Sequence, residues 1–164
     1  MTNVIPMNVD GPLLTISEDK VTLDELQRVL ESIFIECERR DGQLHITDGL
    51  DDPCFIGIDQ DRKFVLFVSS IEHKAPKPRV IEKVNNLNGD LIMARFHCDN
   101  DPDVVWVEYF MAYEGGLNVH QFVKLLRRFA KIVNTVEVDV FGASLSSWSL
   151  DYTERNGSTR RDCP

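Results

Sequence analysis

The sequence is poor in cysteine and has no CxxC pair. Its cysteines lie far apart along the chain, at Cys37, Cys54, Cys98 and Cys163. The first 16 residues lack the charged start and the long apolar core of a secretory signal peptide. We therefore expect the cysteines to be reduced thiols and the protein to be cytoplasmic.

Long apolar runs and excess positive charge are also missing. A membrane-spanning helix needs about 18 to 20 uninterrupted apolar residues, and charged residues interrupt every apolar run of this chain well before that length. The chain has 18 Lys and Arg against 27 Asp and Glu, which gives a formal net charge of −9. Because an acidic mean field repels phosphate, we expect neither a membrane nor a nucleic acid as a partner.

The common catalytic motifs are absent from the sequence. It contains no GxxxxGK[ST], no GxGxxG, no HExxH and no GxSxG. The usual sequence motifs of phosphate-binding loops, zinc hydrolases and serine acyltransferases are therefore missing. A Cys–His nucleophile pair also has no local signature among the cysteines and histidines. The aspartates at Asp48, Asp51, Asp52, Asp59 and Asp61 lie in predicted turns, where Asp is favoured for its own hydrogen bonding.

Two stretches bring metal-ligating residue types together. Asp99–Asp103 begins like a calcium loop, but Val104 occupies the position of the required Gly and Phe110 that of the bidentate Glu. His97 and Cys98 are neighbours on a predicted strand, so their side chains point to opposite faces and cannot readily bind one ion. We therefore expect no metal site, no cofactor and no catalytic residue, and we do not expect an enzyme.

The first half of the chain predicts one helix and a strand meander. A length of 164 residues with 43% hydrophobic residues is enough for one domain. Residues 1–20 mix Pro and Gly without a sustained period and are expected to form an arm. Thr22 is a good N-cap with Glu25 three residues later, and the apolar spacing that follows predicts a helix over 22–39. Short segments with strand character follow at Gln43–Thr47, Cys54–Asp59 and Lys63–Ser70.

The second half predicts a helix, a hairpin and a final helix. Pro78 opens a helix that is expected to stop near Asn88 and Gly89. Strands are expected at Leu91–Cys98 and Val104–Ala112, and the second of these is apolar on both sides, so both of its faces should be covered. Gly115 and Gly116 then allow positive φ, and Asn118 caps the last helix.

The last helix has an unusually wide apolar arc. Its core stripe is flanked by further apolar positions at Leu125, Phe129, Ile132 and Val136. One sheet face does not cover so wide an arc, so these four residues are candidates for a dimer contact or a partner's docking groove, unless the first helix covers them within the chain. The remaining face carries Lys124, Arg127, Arg128 and Lys131, which are explained more simply by the helix dipole and solubility than by nucleic-acid binding.

The predicted elements define the fold class. Their order is α-β-β-β-α-β-β-α, with helices and antiparallel strands largely segregated. This order predicts an α+β domain in which the helices pack on one face of the sheet.

One segment resembles a known protein family. Val80–Val133 contains a helix ending in an Asn-rich N-x-x-N segment at Asn85 and Asn88, a strand, an acidic turn, a second strand, a Gly-Gly pair and a helix with a basic, aromatic end. This arrangement resembles the second half of the YbjN family, described as sensory-transduction regulators. Leu87 departs from the family, where an aromatic residue is frequent between the two Asn positions.

The resemblance implies a fold and a kind of function. The YbjN family is similar to the type III secretion chaperone fold, a dimer-forming α+β domain that binds other proteins. It implies a non-enzymatic protein-binding module, chaperone-like or regulatory, over residues 21–138, with a homodimer and a further protein as partners. The tail, 139–164, is expected to be partly ordered or flexible and to cap an apolar surface. The alternatives are a small-ligand sensor or enzyme with a pocket between sheet and helices, and a nucleic-acid regulator with salt-dependent binding.

Overall fold

The computed structural model of the protein describes residues 14–98 and 103–141. Within them the strands are β1 (Thr15–Ile16), β2 (Glu36–Arg40), β3 (Gln43–Asp48), β4 (Phe55–Asp59), β5 (Phe64–Glu72), β6 (Arg95–Cys98), β7 (Val104–Ala112) and β8 (Leu117–Asn118). The helices are α1 (Leu23–Ser32), α2 (Lys77–Asp90) and α3 (Val119–Val136). A 3-10 turn (Glu18–Lys20) precedes α1, and a π-helical turn (Glu137–Phe141), here called the C-terminal turn, follows α3.

An antiparallel sheet forms the centre of the fold. Its strand order is β2-β3-β4-β5-β7-β6. The strands β2 to β5 form a meander joined by short turns, and β7 pairs with β5 in a continuous register from Phe64↔Ala112 to Glu72↔Val104. A separate ribbon joins β1 to β8, and it ties residues 14–20 of the predicted arm to the domain. The α+β class with an antiparallel sheet is confirmed.

The first helix begins where the sequence predicts but ends earlier. The Thr22 hydroxyl accepts a hydrogen bond from the Glu25 backbone N–H at 3.3 Å. The predicted extension to residue 39 is wrong, because Phe34 has a left-handed backbone with φ of 62° that cannot continue the helix. The chain then forms β2, in which Cys37 pairs with Ile46 of β3. The meander therefore has one strand more than predicted.

The second helix runs further than predicted, and the strand after it starts later. Asn88 and Gly89 were expected to stop α2, but both lie inside it. The Asn88 side chain does not cap the helix; it hydrogen-bonds the backbone of Phe96 in β6. The predicted strand from Leu91 begins only at Arg95, and Ile92, which that strand was expected to include, is fully exposed.

The connection from β7 to α3 has the predicted chemistry. β7 spans the predicted Val104–Ala112. Gly115 and Gly116 have φ of 78° and 122°, and a Cβ on Gly116 would lie 2.9 Å from the Ile16 carbonyl oxygen, so only glycine fits there. The Asn118 side chain accepts a hydrogen bond from the Gln121 N–H at 2.9 Å and caps α3.

The hydrophobic core lies between the sheet and the described helices. Alternate residues of β5 face the helices, and Phe67 lies 5.8 Å, ring centroid to ring centroid, from both Phe122 and Phe129 of α3. The same core includes buried residues of α1 and α2, such as Leu30 and Val80. The helices therefore pack on one face of the sheet, as predicted.

Candidate functional site

The structure separates the four apolar residues of α3 that were candidates for partner contact. Phe129 and Val136 are buried in the core of the chain itself. Leu125 and Ile132 are half-buried and pack against the edge of that core. Only Leu125 and Ile132 therefore present surface in the described fold.

A larger apolar surface lies on the sheet face that is turned away from the helices, and it was not identified from the sequence. We call this surface the open face. The core cluster contains none of its residues. Its apolar side chains are Phe55, Phe64, Leu66, Trp106 and Phe110.

The open face is aromatic at its centre. Phe110 is 46% exposed, the highest value on this face among its large apolar side chains. The rings of Phe64 and Phe110 meet edge to face with centroids 6.2 Å apart. Next to them, Phe55 pairs in register with Val68, which is buried although it lies on the open side of β5. The apolar side chains of the open face, with the Phe64–Phe110 pair among them, form the aromatic patch, and exposed patches of this kind mark interaction surfaces.

Polar side chains border the aromatic patch on both sides. On the β2–β3 side, the imidazole Nδ1 of His45 lies 3.4 Å from Glu38 Oε1, and its ring stacks on Phe55 at 4.6 Å between centroids. On the β6–β7 side, Arg95 is exposed, and His97 Nδ1 lies 3.9 Å from Glu108 Oε2. An apolar centre with a polar rim is the usual anatomy of a protein–protein interface.

Side chains occupy the edges of the sheet, which makes the face more accessible to a partner than the edges. The Asn88 amide donates to the Phe96 carbonyl oxygen and its carbonyl accepts from the Phe96 N–H, both at 2.8 Å. This clamp occupies the outward backbone groups of the β6 edge. At the other edge, four of the five residues of β2 are charged, and Arg39 forms an ion pair with Asp24 of α1. Clamped or charged edges discourage strand addition.

The metal-ligand stretches do not come together in the described fold. His97 contacts Glu108 on the open face, whereas Cys98 packs against the core, so the two point to opposite faces as predicted. Of the acidic turn, only Asp103 belongs to the described residues. Across 14–98 and 103–141, no group of three or more His, Cys, Asp or Glu is arranged to hold a metal ion.

Two buried carboxyl groups were not singled out by the sequence. Asp52 has no exposed surface and Glu137 is 6% exposed. Burial, the charge of Glu137 and that of Asp51 raise the pKa of Asp52 to about 8. Burial and the charge of Glu72 raise the pKa of Glu137. Asp52 was interpreted as one of several turn aspartates, because nothing in its local sequence distinguishes it from exposed neighbours.

Three cysteines lie in the described part of the chain, and all are free thiols. Burial is the main cause that raises the pKa of Cys37, Cys54 and Cys98, so none is activated as a nucleophile. Among the described helices, none is long and apolar enough to cross a membrane. Of the tail predicted at 139–164, residues 139–141 belong to the C-terminal turn, and 142–164 lie outside the described residues, as do 1–13 of the arm.

Solved structures share this fold. A crystal structure of YbjN from E. coli superimposes with a TM-score of 0.59 at 16% identity, covering 72% of this chain and 90% of that one. A chain of the HopA1–SchA chaperone–effector complex gives 0.53 at 15% identity, with 73% and 93% covered. A chain of the ExsC–ExsE complex gives 0.56 at 12% identity, with 74% and 98% covered. At such low sequence identities, these superpositions establish a shared fold and no shared function.

The family comparison covers most of the chain. No curated protein matches the sequence. The model of the YbjN family, described as "Putative bacterial sensory transduction regulator", matches residues 22–139. This range includes α1, the complete central sheet and α3. The chain belongs to the YbjN family.

Proposed function

We propose that this protein is a non-enzymatic protein-binding module that works as a homodimer in the cytoplasm. The main support for the proposal is the open face. Its aromatic patch includes the exposed Phe110, and the described helices leave this patch uncovered. The similar folds in a chaperone–effector complex and in the ExsC–ExsE complex support a role in binding other proteins. The free thiols support a reducing compartment.

A second copy of the chain is the occupant that suits the open face. Glu38 lies toward one edge of this face and Arg95 toward the opposite edge. Two sheets packed face to face about a two-fold axis parallel to the strands would bring β2 of one copy over β6 of the other. Glu38 of each copy would then meet Arg95 of its partner, and the aromatic patches would be buried between the sheets.

The two copies would leave α3 accessible. Leu125 and Ile132 lie on the helix side of the sheet, next to the exposed Lys124, Arg128 and Lys131. We propose this strip as the contact for a further protein, because a half-buried apolar row bordered by cations suits an amphipathic segment with acidic residues.

A charge exchange tests the dimer. Glu38→Arg or Arg95→Glu alone places like charges together in both symmetric contacts, and we expect each to raise the dimer dissociation constant about tenfold or more at low salt. The double variant restores opposite charges and should recover most of the affinity, as measured by analytical ultracentrifugation. If the double variant is as weak as the two single variants combined, the two residues do not face each other.

The buried carboxyl groups of Asp52 and Glu137 favour a second candidate function, which is a small-ligand or sensory function. Ligand-binding and catalytic sites often contain a titratable group with a perturbed pKa, and the pKa of Asp52 is raised to about 8. Asp52 lies in the loop between β3 and β4, and Glu137 begins the C-terminal turn, so neither belongs to the open face.

A further inference from the structure

The loop after β3 meets the C-terminal turn at the end of α3. The Asn134 amide of α3 donates to the Asp51 carbonyl oxygen at 3.3 Å, which attaches the loop to the helix. One residue further along the loop is Asp52, and the first residue of the C-terminal turn is Glu137. Glu137 lies three residues after Asn134 at the end of α3, so this contact brings the loop that carries Asp52 to the helix end that carries Glu137. Glu137 is also the largest charge effect that raises the pKa of Asp52.

Three of the four carboxyl oxygens of Asp52 and Glu137 are buried without a hydrogen-bond donor among the described residues. Among the described residues, no donor reaches either oxygen of Asp52 or Oε2 of Glu137, and these atoms are shielded from solvent. A buried carboxylate without a donor or a counter-ion is strongly unfavourable, and such groups take up a proton instead.

Among the described residues, the charges that shift the pKa values of the pair come from other acids. The charges that act on Asp52 are those of Glu137 and Asp51, and the charge that acts on Glu137 is that of Glu72, so all are acids. The buried Cys54 thiol lies within the field of Asp52. An arrangement of this kind is costly when ionised and is stable when at least one carboxyl group is protonated.

The rest of the C-terminal turn is held by cationic and aromatic contacts. The Lys83 ammonium of α2 donates to the Val140 carbonyl oxygen and lies 5.2 Å from the centroid of the Phe141 ring. The His73 ring stacks on Phe141 with centroids 5.5 Å apart. These groups face the turn from α2 and from the end of β5.

We propose that Asp52 and Glu137 form a proton-binding site that latches the C-terminal turn onto the core. With a proton on the pair, the turn stays closed. Loss of the proton leaves two buried anions at the same end of α3, and the turn opens to hydrate them, which releases Phe141 from His73 and Lys83. The ligand of this site is the proton itself, and its effect is independent of the dimer proposed for the open face.

The sign of the pH dependence follows from the raised pKa. The pKa of Asp52 is about 8 in the closed form against 3.8 for an exposed Asp, so the closed form binds the proton more tightly. Stabilisation of the closed form is complete below the ordinary pKa and is lost as the pH rises through about 8. Within that window, one proton changes the ratio of closed to open forms by at most about tenfold per pH unit.

Side-chain carboxyl NMR on the full chain tests the proposal. Carbon-13 shifts of Asp52 and Glu137 would be followed from pH 5 to 9.5, together with the backbone amides of Glu137–Phe141. We expect Asp52 to titrate near pH 8 and the amides of the turn to shift with the same midpoint. Titration of Asp52 below about pH 5, or turn amides that do not follow it, would overturn the latch.

Matched variants separate the latch from general pH effects. In Asp52→Asn the response of the turn near pH 8 should disappear, while Asp61→Asn, an exposed turn aspartate, should keep the wild-type response. Glu137→Gln should move the titration of Asp52 to lower pH, because a charge that raises its pKa is removed. If Asp52→Asn does not fold, Glu137→Gln and the wild-type titration still decide. A response that persists in Asp52→Asn would contradict the proposal.

Discussion

The two faces of the central sheet differ in what covers them, although both are apolar. On the helix side, residues such as Phe67 and Val107 are fully buried. On the open side of the same strands, Leu66 is half-buried and Phe110 is 46% exposed. The alternation of residues along a strand sequence predicts that a face is apolar. It does not predict whether another part of the same chain covers that face.

β7 illustrates the point. Its apolar residues on both sides led us to expect cover on both faces. Within the described residues, Val105 and Val107 on the helix side are buried, whereas on the open side Val104 is buried, Trp106 is half-buried and Phe110 is exposed. The second face is where a partner can supply the missing cover.

Truncation of matched phenylalanines on the two faces should have very different effects on stability. Phe67→Ala leaves a cavity among Phe122 and Phe129, and we expect a loss of about 3 to 5 kcal/mol in the free energy of unfolding. Phe110→Ala should cost less than about 1.5 kcal/mol, since little of its burial would be lost in a single chain. Urea denaturation at low protein concentration measures both. Equal losses would show that the open face is covered within the chain.

The stability of the whole chain should also fall as the pH rises from 6 to 8. Asp52 holds its proton in the folded state up to about pH 8 and releases it in the unfolded state near its ordinary pKa. The unfolded state therefore binds fewer protons, and the free energy of unfolding decreases by up to about 2.7 kcal/mol over these two pH units. Denaturation at several pH values tests this. A free energy of unfolding that increases over this range would contradict the raised pKa.

Removing the clamp on the sheet edge should have an intermediate effect. Asn88→Ala deletes both hydrogen bonds to Phe96, and we expect a loss of about 1 to 2 kcal/mol in the free energy of unfolding. Asn85→Ala, on the same helix and exposed, should change the free energy of unfolding by less than about 0.5 kcal/mol. Thermal denaturation compares the two. If Asn85→Ala is the more harmful change, the clamp is not the important contact of this motif.

Substitutions in the proposed partner strip on α3 should change the stability of the protein least. Leu125→Ser combined with Ile132→Ser removes half-buried apolar area, and we expect a loss near 1 kcal/mol or less with no change in the dimer. Sedimentation of the double variant measures its mass. Dissociation of the dimer would move the contact between copies from the open face to α3.

The sequence predicted more of the fold than of the candidate site. Capping by Thr22 and Asn118 and the glycine turn before α3 depend on local chemistry, so they could be predicted. Helix α1 was predicted too long because Ile33 and Phe34 continue its apolar spacing, and the left-handed backbone of Phe34 that ends it has no sequence signal.

The site could not be predicted because it depends on tertiary neighbours. Phe129 and Val136 lie on the same apolar arc as Leu125 and Ile132, but only packing against β5 decides which of them are buried. Asp52 resembles any turn aspartate until Glu137, 85 positions later in the sequence, is placed beside it. Asn88 was singled out through the family resemblance, yet its role as a clamp depends on Phe96.

The most direct test of the account is the mass in solution of the wild type and Phe110→Asp, by light scattering after gel filtration. Phe34→Asp is the matched control, since Phe34 is 90% exposed but lies outside the open face. We predict a dimeric wild type, a dimeric control and a Phe110→Asp variant that is monomeric and folded by circular dichroism. A monomeric wild type, or a Phe110→Asp variant that remains dimeric, would contradict the claim that the open face joins two copies.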